Sequence, residues 1–260
     1  MRNTIVAAAL MFLISPMIFI PEARCGTDKA ACSVIQVGLR KLEACRIHLP
    51  ADYDSTRAWP LVIGLHGFGG CARGFSRIWD YIEPHSFIFA VPEAPYALSE
   101  PGIESTNQFS WEFRGDDTRL WRSADPWVPE YIAAVADSVA KRYKVGRTFI
   151  FGFSQGAAYA YATGIRNPGK FAGIICFGGR MPDPRKYEWL LNDEIIKKGS
   201  GLKVFIAHGR NDDVIGCDAA LENARTLQDF GYDVKLVLFD GGHTLVRGPL
   251  ETALEWLDIQ

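Results

Sequence analysis

At 260 residues and 48% hydrophobic, the chain is long enough to bury one substantial core. Its formal charge of −2, with no long run of one sign, excludes the basic stripe that a nucleic-acid binder needs. Its six cysteines form no Cys-x-x-Cys pair and no His/Cys cluster, so no structural metal site is expected.

The chain opens on a short basic stretch with Arg2, followed by residues 5–20, which are apolar except for Ser15 and Pro16. Then come Pro21, Glu22 and Arg24. This pattern predicts a secretory signal peptide over residues 1–24 and a single domain over 25–260. The apolar run is short for a membrane span, and Pro16 would break a helix that must satisfy its own backbone in lipid. A secreted or periplasmic location is expected, with an uncleaved N-terminal anchor as the alternative and no membrane span beyond the leader. Export permits disulfides. Residues 33–37 and 42–49 read as two strands of an antiparallel hairpin about Gly38, which predicts a Cys32–Cys45 pair. Cys71 and Cys217, both in loops, form a second candidate pair. Cys176 lies in an apolar run and reads as a buried free thiol.

Beyond the hairpin, strands and helices alternate. Residues 60–65 read as a buried strand ending in His66-Gly67, and residues 87–91 as another. Residues 96–125 show no clear period but carry Phe109, Trp111, Phe113 and Trp121. Residues 127–143 are helical by pattern, since Ile132, Val135, Ala136, Val139 and Tyr143 recur on one face. A strand over 147–153 feeds a helix over 155–165. Then follow a strand (171–177), a helix (185–197), a strand (202–207) and a helix (218–230) that stops at Gly231. A strand (233–239) and a helix (248–257) complete the order. Buried apolar strands alternating with helices predict an α/β fold with a mostly parallel sheet covered on both faces.

Ligands of such sheets sit at the carboxyl ends of the strands. His66-Gly67, Ser154, Asp212 and His243 each follow a strand and therefore share one edge. Ser154 stands in Gly152-Phe153-Ser154-Gln155-Gly156, a G-x-S-x-G between a strand and a helix. That turn lifts a serine oxygen clear of the backbone. A serine hydroxyl needs a base to take its proton, and His243, in a glycine loop after the last strand, is the candidate. A carboxylate must hold the imidazole. Asp212 is preferred, with Asp213, Asp240 and Asp183 as rivals. An oxyanion would need preorganised donors, here the backbone N–H groups of Gln155 and Phe68. Trp111 is the candidate substrate-binding residue of the aromatic segment, although such rings fill cores equally well. The histidines at 48, 66, 85 and 208 read as structural, those at 66 and 208 bracing their loops.

The motifs GFSQGA, LHGFGG, HGRNDDVI and FDGGH, in that order, resemble the α/β-hydrolase superfamily, and within it the phospholipase/carboxylesterase (acyl-protein thioesterase-like) group. The likeness runs from about Trp59 to Leu257. It implies a serine hydrolase that needs no cofactor or metal, acts on small-molecule carboxylic esters or thioesters, and uses Ser154, Asp212 and His243. The chain departs from the group in having Gly70-Cys71 where an aspartate is frequent, and in its leader and cysteines. Secreted polyester depolymerases and feruloyl esterases share the layout. A peptidase of the same fold and, from a different class, a catalytically inactive binding protein are the remaining readings.

Overall fold

The computed structural model of the protein describes residues 43–83, 85–98, 108–113 and 118–259. Its strands are β1 (Cys45–His48), β2 (Trp59–Leu65), β3 (Ile88–Pro92), β4 (Tyr96–Ala97), β5 (Phe109–Ser110), β6 (Val145–Phe153), β7 (Gly173–Phe177), β8 (Lys203–Gly209) and β9 (Asp233–Phe239). Its helices are α1 (Ala72–Phe75), α2 (Thr118–Ala124), α3 (Trp127–Ala140), α4 (Gln155–Arg166), α5 (Asp193–Lys198), α6 (Asp218–Asp229) and α7 (Arg247–Trp256). A 3-10 helix over Ser76–Tyr81 follows α1.

Among the described residues, seven strands form one sheet in the order β1-β3-β2-β6-β7-β8-β9. Every pairing in it is parallel except β1 with β3. Strand side chains alternate between faces, and the core divides accordingly. Leu61, Ile63, Ile150 and Ile174 pack with Ile132, Ala160 and Leu227 of α3, α4 and α6 on one face. Val62, Phe149, Phe151 and Phe177 pack with Leu250 and Ala253 of α7 and with Phe75 on the other. Small residues let α4 lie close to the sheet: a Cβ at Gly164 would stand 2.5 Å from Ile174. Among the described residues, no helix is long and apolar enough to cross a membrane.

The structure departs from the sequence expectations in four places. The first is the helix expected over 185–197, which is confined to Asp193–Lys198. The carbonyls of Trp189 and Leu190 accept instead from the Arg166 guanidinium, at 3.2 and 3.0 Å. Asn192 starts the shorter helix by accepting from the Ile195 N–H at 2.9 Å. The second is the segment around Phe109. It contains a two-stranded antiparallel ribbon of β4 and β5, with Tyr96 opposite Ser110.

The third concerns the expected Cys32–Cys45 pair. Residues 33–37 and Cys32 lie outside the described residues, and the described partner of β1 is β3, with Cys45 opposite Pro92. Cys45 is a free thiol. The fourth is the second expected disulfide, since Cys71 and Cys217 are also free. They follow β2 and β8, which stand three strand spacings apart in the sheet. The loops that carry them therefore start about 14 Å apart, at roughly 4.8 Å per strand, against the roughly 6 Å between Cα atoms that a disulfide spans. Cys176 is buried and free as expected, and burial pushes its thiol well above the ordinary range.

Candidate active site

The apolar run of β6 delivers Ser154 to the carboxyl edge, where the chain turns at once into α4. Ser154 adopts φ 55° and ψ −120°, a conformation that costs about 1–3 kcal/mol and persists only when surrounding structure enforces it. The enforcement is visible. The Ser154 N–H donates to the Phe177 carbonyl at 2.9 Å, and the Ala157 N–H returns to the Ser154 carbonyl at 3.0 Å. The flanking glycines are required by space: a Cβ at Gly152 would stand 2.3 Å from the Gly156 carbonyl oxygen, and one at Gly156 would stand 2.2 Å from that of Leu65.

His243 reaches this serine from the loop after β9. Its Nε2 lies 2.9 Å from Ser154 Oγ, and its Nδ1 lies 2.8 Å from Asp212 Oδ2. A carboxylate oxygen can only accept, so the neutral imidazole carries its proton on Nδ1. Nε2 is thereby left to accept the serine proton. The ring rests against Phe153 with centroids 5.0 Å apart. The Asp212 side chain is fully buried. Oδ1 accepts from the backbone N–H groups of Val214 (2.9 Å) and Ile215 (2.8 Å). Burial pushes this carboxyl up, but the hydrogen bonds from Ile215, His243 and Val214 together outweigh it and hold the group below its ordinary value. The three rival acids stand elsewhere. Asp213 is exposed. Asp240 is exposed and lies 3.7 Å from Arg210, and Asp183 accepts from the Arg185 N–H at 2.9 Å.

The loop after β2 passes over the serine. A Cβ at Gly67 would lie 3.3 Å from Ser154 Cβ. Phe68 heads this loop, and the Gly69 N–H ties it to the Phe109 carbonyl at 3.0 Å, while the Phe109 N–H returns to Gly70 at 2.9 Å. The Gln155 N–H belongs to the first turn of α4, where backbone donors lack intrahelical partners and the helix dipole favours negative charge. The Gln155 side chain is fixed as well, accepting from the Trp111 N–H at 3.0 Å and donating to Ser110 Oγ at 3.1 Å.

Trp111 corrects the expectation of a cleft wall. Its side chain is fully buried, and its indole N–H donates to the His66 carbonyl at 2.7 Å. An indole is best placed where both its area and its donor are satisfied, which makes Trp111 a tie beneath the loop. His66 braces the same loop. Nδ1 donates to the Gly67 carbonyl at 2.8 Å and Nε2 accepts from the Ala94 N–H at 3.3 Å. Burial lowers its pKa, which keeps the ring neutral. Glu93 lies 3.2 Å from this ring and also accepts from the Ala72 N–H at 2.7 Å. His85 is engaged away from the serine: its Nε2 meets the Trp79 carbonyl at 2.8 Å, and its ring stacks on Trp79.

Sequence reasoning missed Glu93 and Asp125. Glu93 follows β3 on the same edge, a signal that could have flagged it. Asp125 is buried, accepts from the Trp189 indole at 3.1 Å and lies 3.5 Å from the Tyr159 hydroxyl. Burial, reinforced by the charge of Glu112, raises its carboxyl to about 6 against two opposing hydrogen bonds. Two apolar side chains stand exposed on the loops after β2 and β8 that carry Gly67 and Asp212, Phe68 at 47% and Val214 at 66%.

A family profile described as phospholipase/carboxylesterase matches residues 53–260. Acyl-protein thioesterase 1 of Eremothecium gossypii is 27% identical over 211 residues, covering 74% of this chain and 84% of that protein. Probable feruloyl esterase C of Aspergillus terreus is 25% identical over 214 residues, covering 76% of this chain and 74% of that one. Among solved structures, esterase PE8 superposes with a TM-score of 0.64 at 28% identity, covering 83% of this chain and 98% of its own.

Proposed function

The chain belongs to the phospholipase/carboxylesterase family of α/β-hydrolases and is a carboxylic ester hydrolase, and from that premise we propose that Ser154 carries the acyl group during turnover. His243 takes the serine proton as Oγ bonds to the substrate carbonyl carbon. Asp212 holds the imidazole and stabilises its cationic form. The carbonyl oxygen becomes an oxyanion, to which the backbone N–H groups of Phe68 and Gln155 donate. Collapse breaks the bond to the alcohol, which leaves with the proton from His243. Water then attacks the acyl-enzyme, with His243 again as base, and releases the acid.

The observation that carries this reading is the unbroken contact chain from Ser154 Oγ through His243 to Asp212, at 2.9 and 2.8 Å. Its test is Ser154→Ala: p-nitrophenyl ester cleavage is abolished while the circular dichroism spectrum is unchanged. Retained cleavage refutes the assignment.

A second reading concerns the substrate. The likeness to a probable feruloyl esterase and the exposed Phe68 and Val214 favour a bulky or aromatic acyl group, as in feruloyl or polyester material. The likeness to an acyl-protein thioesterase favours an acyl thioester. A screen of esters and thioesters graded by acyl length and aromaticity separates them. The apolar stretch over residues 5–20 supports export to the periplasm or beyond. An intact mass that still includes residues 1–24 in the exported fraction counts against a cleaved leader.

A further inference from the structure

His208, the penultimate residue of β8, is fully buried directly behind the carboxylate of Asp212. Its Nε2 lies 2.7 Å from the Ile215 carbonyl and 3.2 Å from Asp212 Oδ2. The carbonyl and the carboxylate can only accept, so Nε2 carries the proton and is shared between them. That same Oδ2 is the atom facing His243 Nδ1. The opposite nitrogen of His208, Nδ1, is buried with no hydrogen-bond partner among the described residues. An unpaired buried acceptor is costly, so the ring at this position is justified by what Nε2 does.

We infer that His208 is a positioning residue of the ester hydrolase, orienting the Asp212 carboxylate toward His243. The contacts form a closed circuit. Nε2 of His208 ties the Ile215 carbonyl, the Ile215 N–H grips Asp212 Oδ1 at 2.8 Å, and Oδ2 completes the path back to His208. The carboxylate is held from both oxygens, so its plane cannot rotate about the side chain without breaking a buried bond. Oδ2 is thereby presented to His243, which makes the shorter of the two imidazole contacts. The inference rests on the proposed roles of Ser154, Asp212 and His243.

The experiment compares His208→Gln, His208→Asn and His208→Phe. Gln can place an amide N–H where Nε2 stands, Asn cannot, and Phe keeps the ring without a donor. Asn and Phe are expected to lose kcat on the order of tenfold to a hundredfold for a p-nitrophenyl ester, with KM within about twofold of wild type. Gln recovers most of the loss. In an Asp212→Asn background the His208 substitutions cost nothing further, because they act through a carboxylate already gone. Should Phe fail to fold, the contrast between Gln and Asn carries the test. Equal activity of Gln and Asn, a loss expressed in KM, or full additivity with Asp212→Asn overturns the inference. Ser154→Ala, assayed in parallel, separates the two ways of failing. An active Ser154→Ala overturns the assignment of the nucleophile, whereas an inactive one beside a His208→Asn of wild-type activity overturns only the role of His208.

Discussion

Replacing Asp125 with Asn relieves a buried carboxyl whose charge is disfavoured, and the size of the effect follows from its surroundings. Burial, the largest influence, together with the charge of Glu112 raises this group from 3.8 to about 6, despite donation from the Trp189 indole and the Tyr159 hydroxyl. The folded state therefore binds the proton more tightly than the unfolded chain. The linkage sign is that stability is fully present below about 4, falls as the pH rises through about 6, and is fully lost near pH 7 and above. A difference of roughly two units at about 1.4 kcal/mol each gives an upper loss of about 3 kcal/mol. The replacement amide never ionises and keeps an acceptor for the Trp189 N–H. Urea unfolding followed by circular dichroism at pH 4.5 and 7.5 measures the stability of both proteins. The advantage of Asp125→Asn over wild type is expected to grow by about 2 kcal/mol between these pH values. A constant difference, or one that shrinks as the pH rises, refutes the reasoning.

Two further outcomes follow from contacts at the serine turn. Gly156→Ala places a methyl group 2.2 Å from the Leu65 carbonyl oxygen, where neither backbone can yield. It is expected to destabilise the fold by more than about 3 kcal/mol and to remove ester cleavage, as read by thermal unfolding and a p-nitrophenyl ester assay. Trp111→Phe keeps most of the buried ring but deletes the donor to the His66 carbonyl. That change is expected to lower kcat about tenfold through the loosened Phe68 loop, with less than about 2 kcal/mol lost in urea unfolding.

The parallel sheet is legible in the sequence because its central strands are buried on both faces and so read as continuous apolar runs. The edge at which these strands end then brings Ser154, Asp212 and His243 into line before any coordinate is known. What escapes is set by partners distant in sequence. The helix expected from Arg185 onward is displaced because Arg166 takes the carbonyls that would have continued it. Trp111 has the composition of a cleft wall, and only its contact with the His66 carbonyl shows it to be an internal tie. Asp125 carries no signal in the sequence, because its environment is made by Tyr159 and Trp189, 34 and 64 residues away along the chain. The choice of Asp212 over Asp213 is decided by the Val214 and Ile215 N–H groups, which select one of two adjacent and chemically identical side chains.

The most direct test of the central claim is stoichiometric labelling with a fluorophosphonate, read by intact-protein mass. In the proposed mechanism the 2.9 Å contact between Oγ and the imidazole makes Ser154 nucleophilic, so wild type takes up one label, Ser154→Ala takes up none, and His243→Ala labels far more slowly. Uptake by Ser154→Ala at the wild-type rate, or labelling indifferent to the loss of His243, contradicts the account.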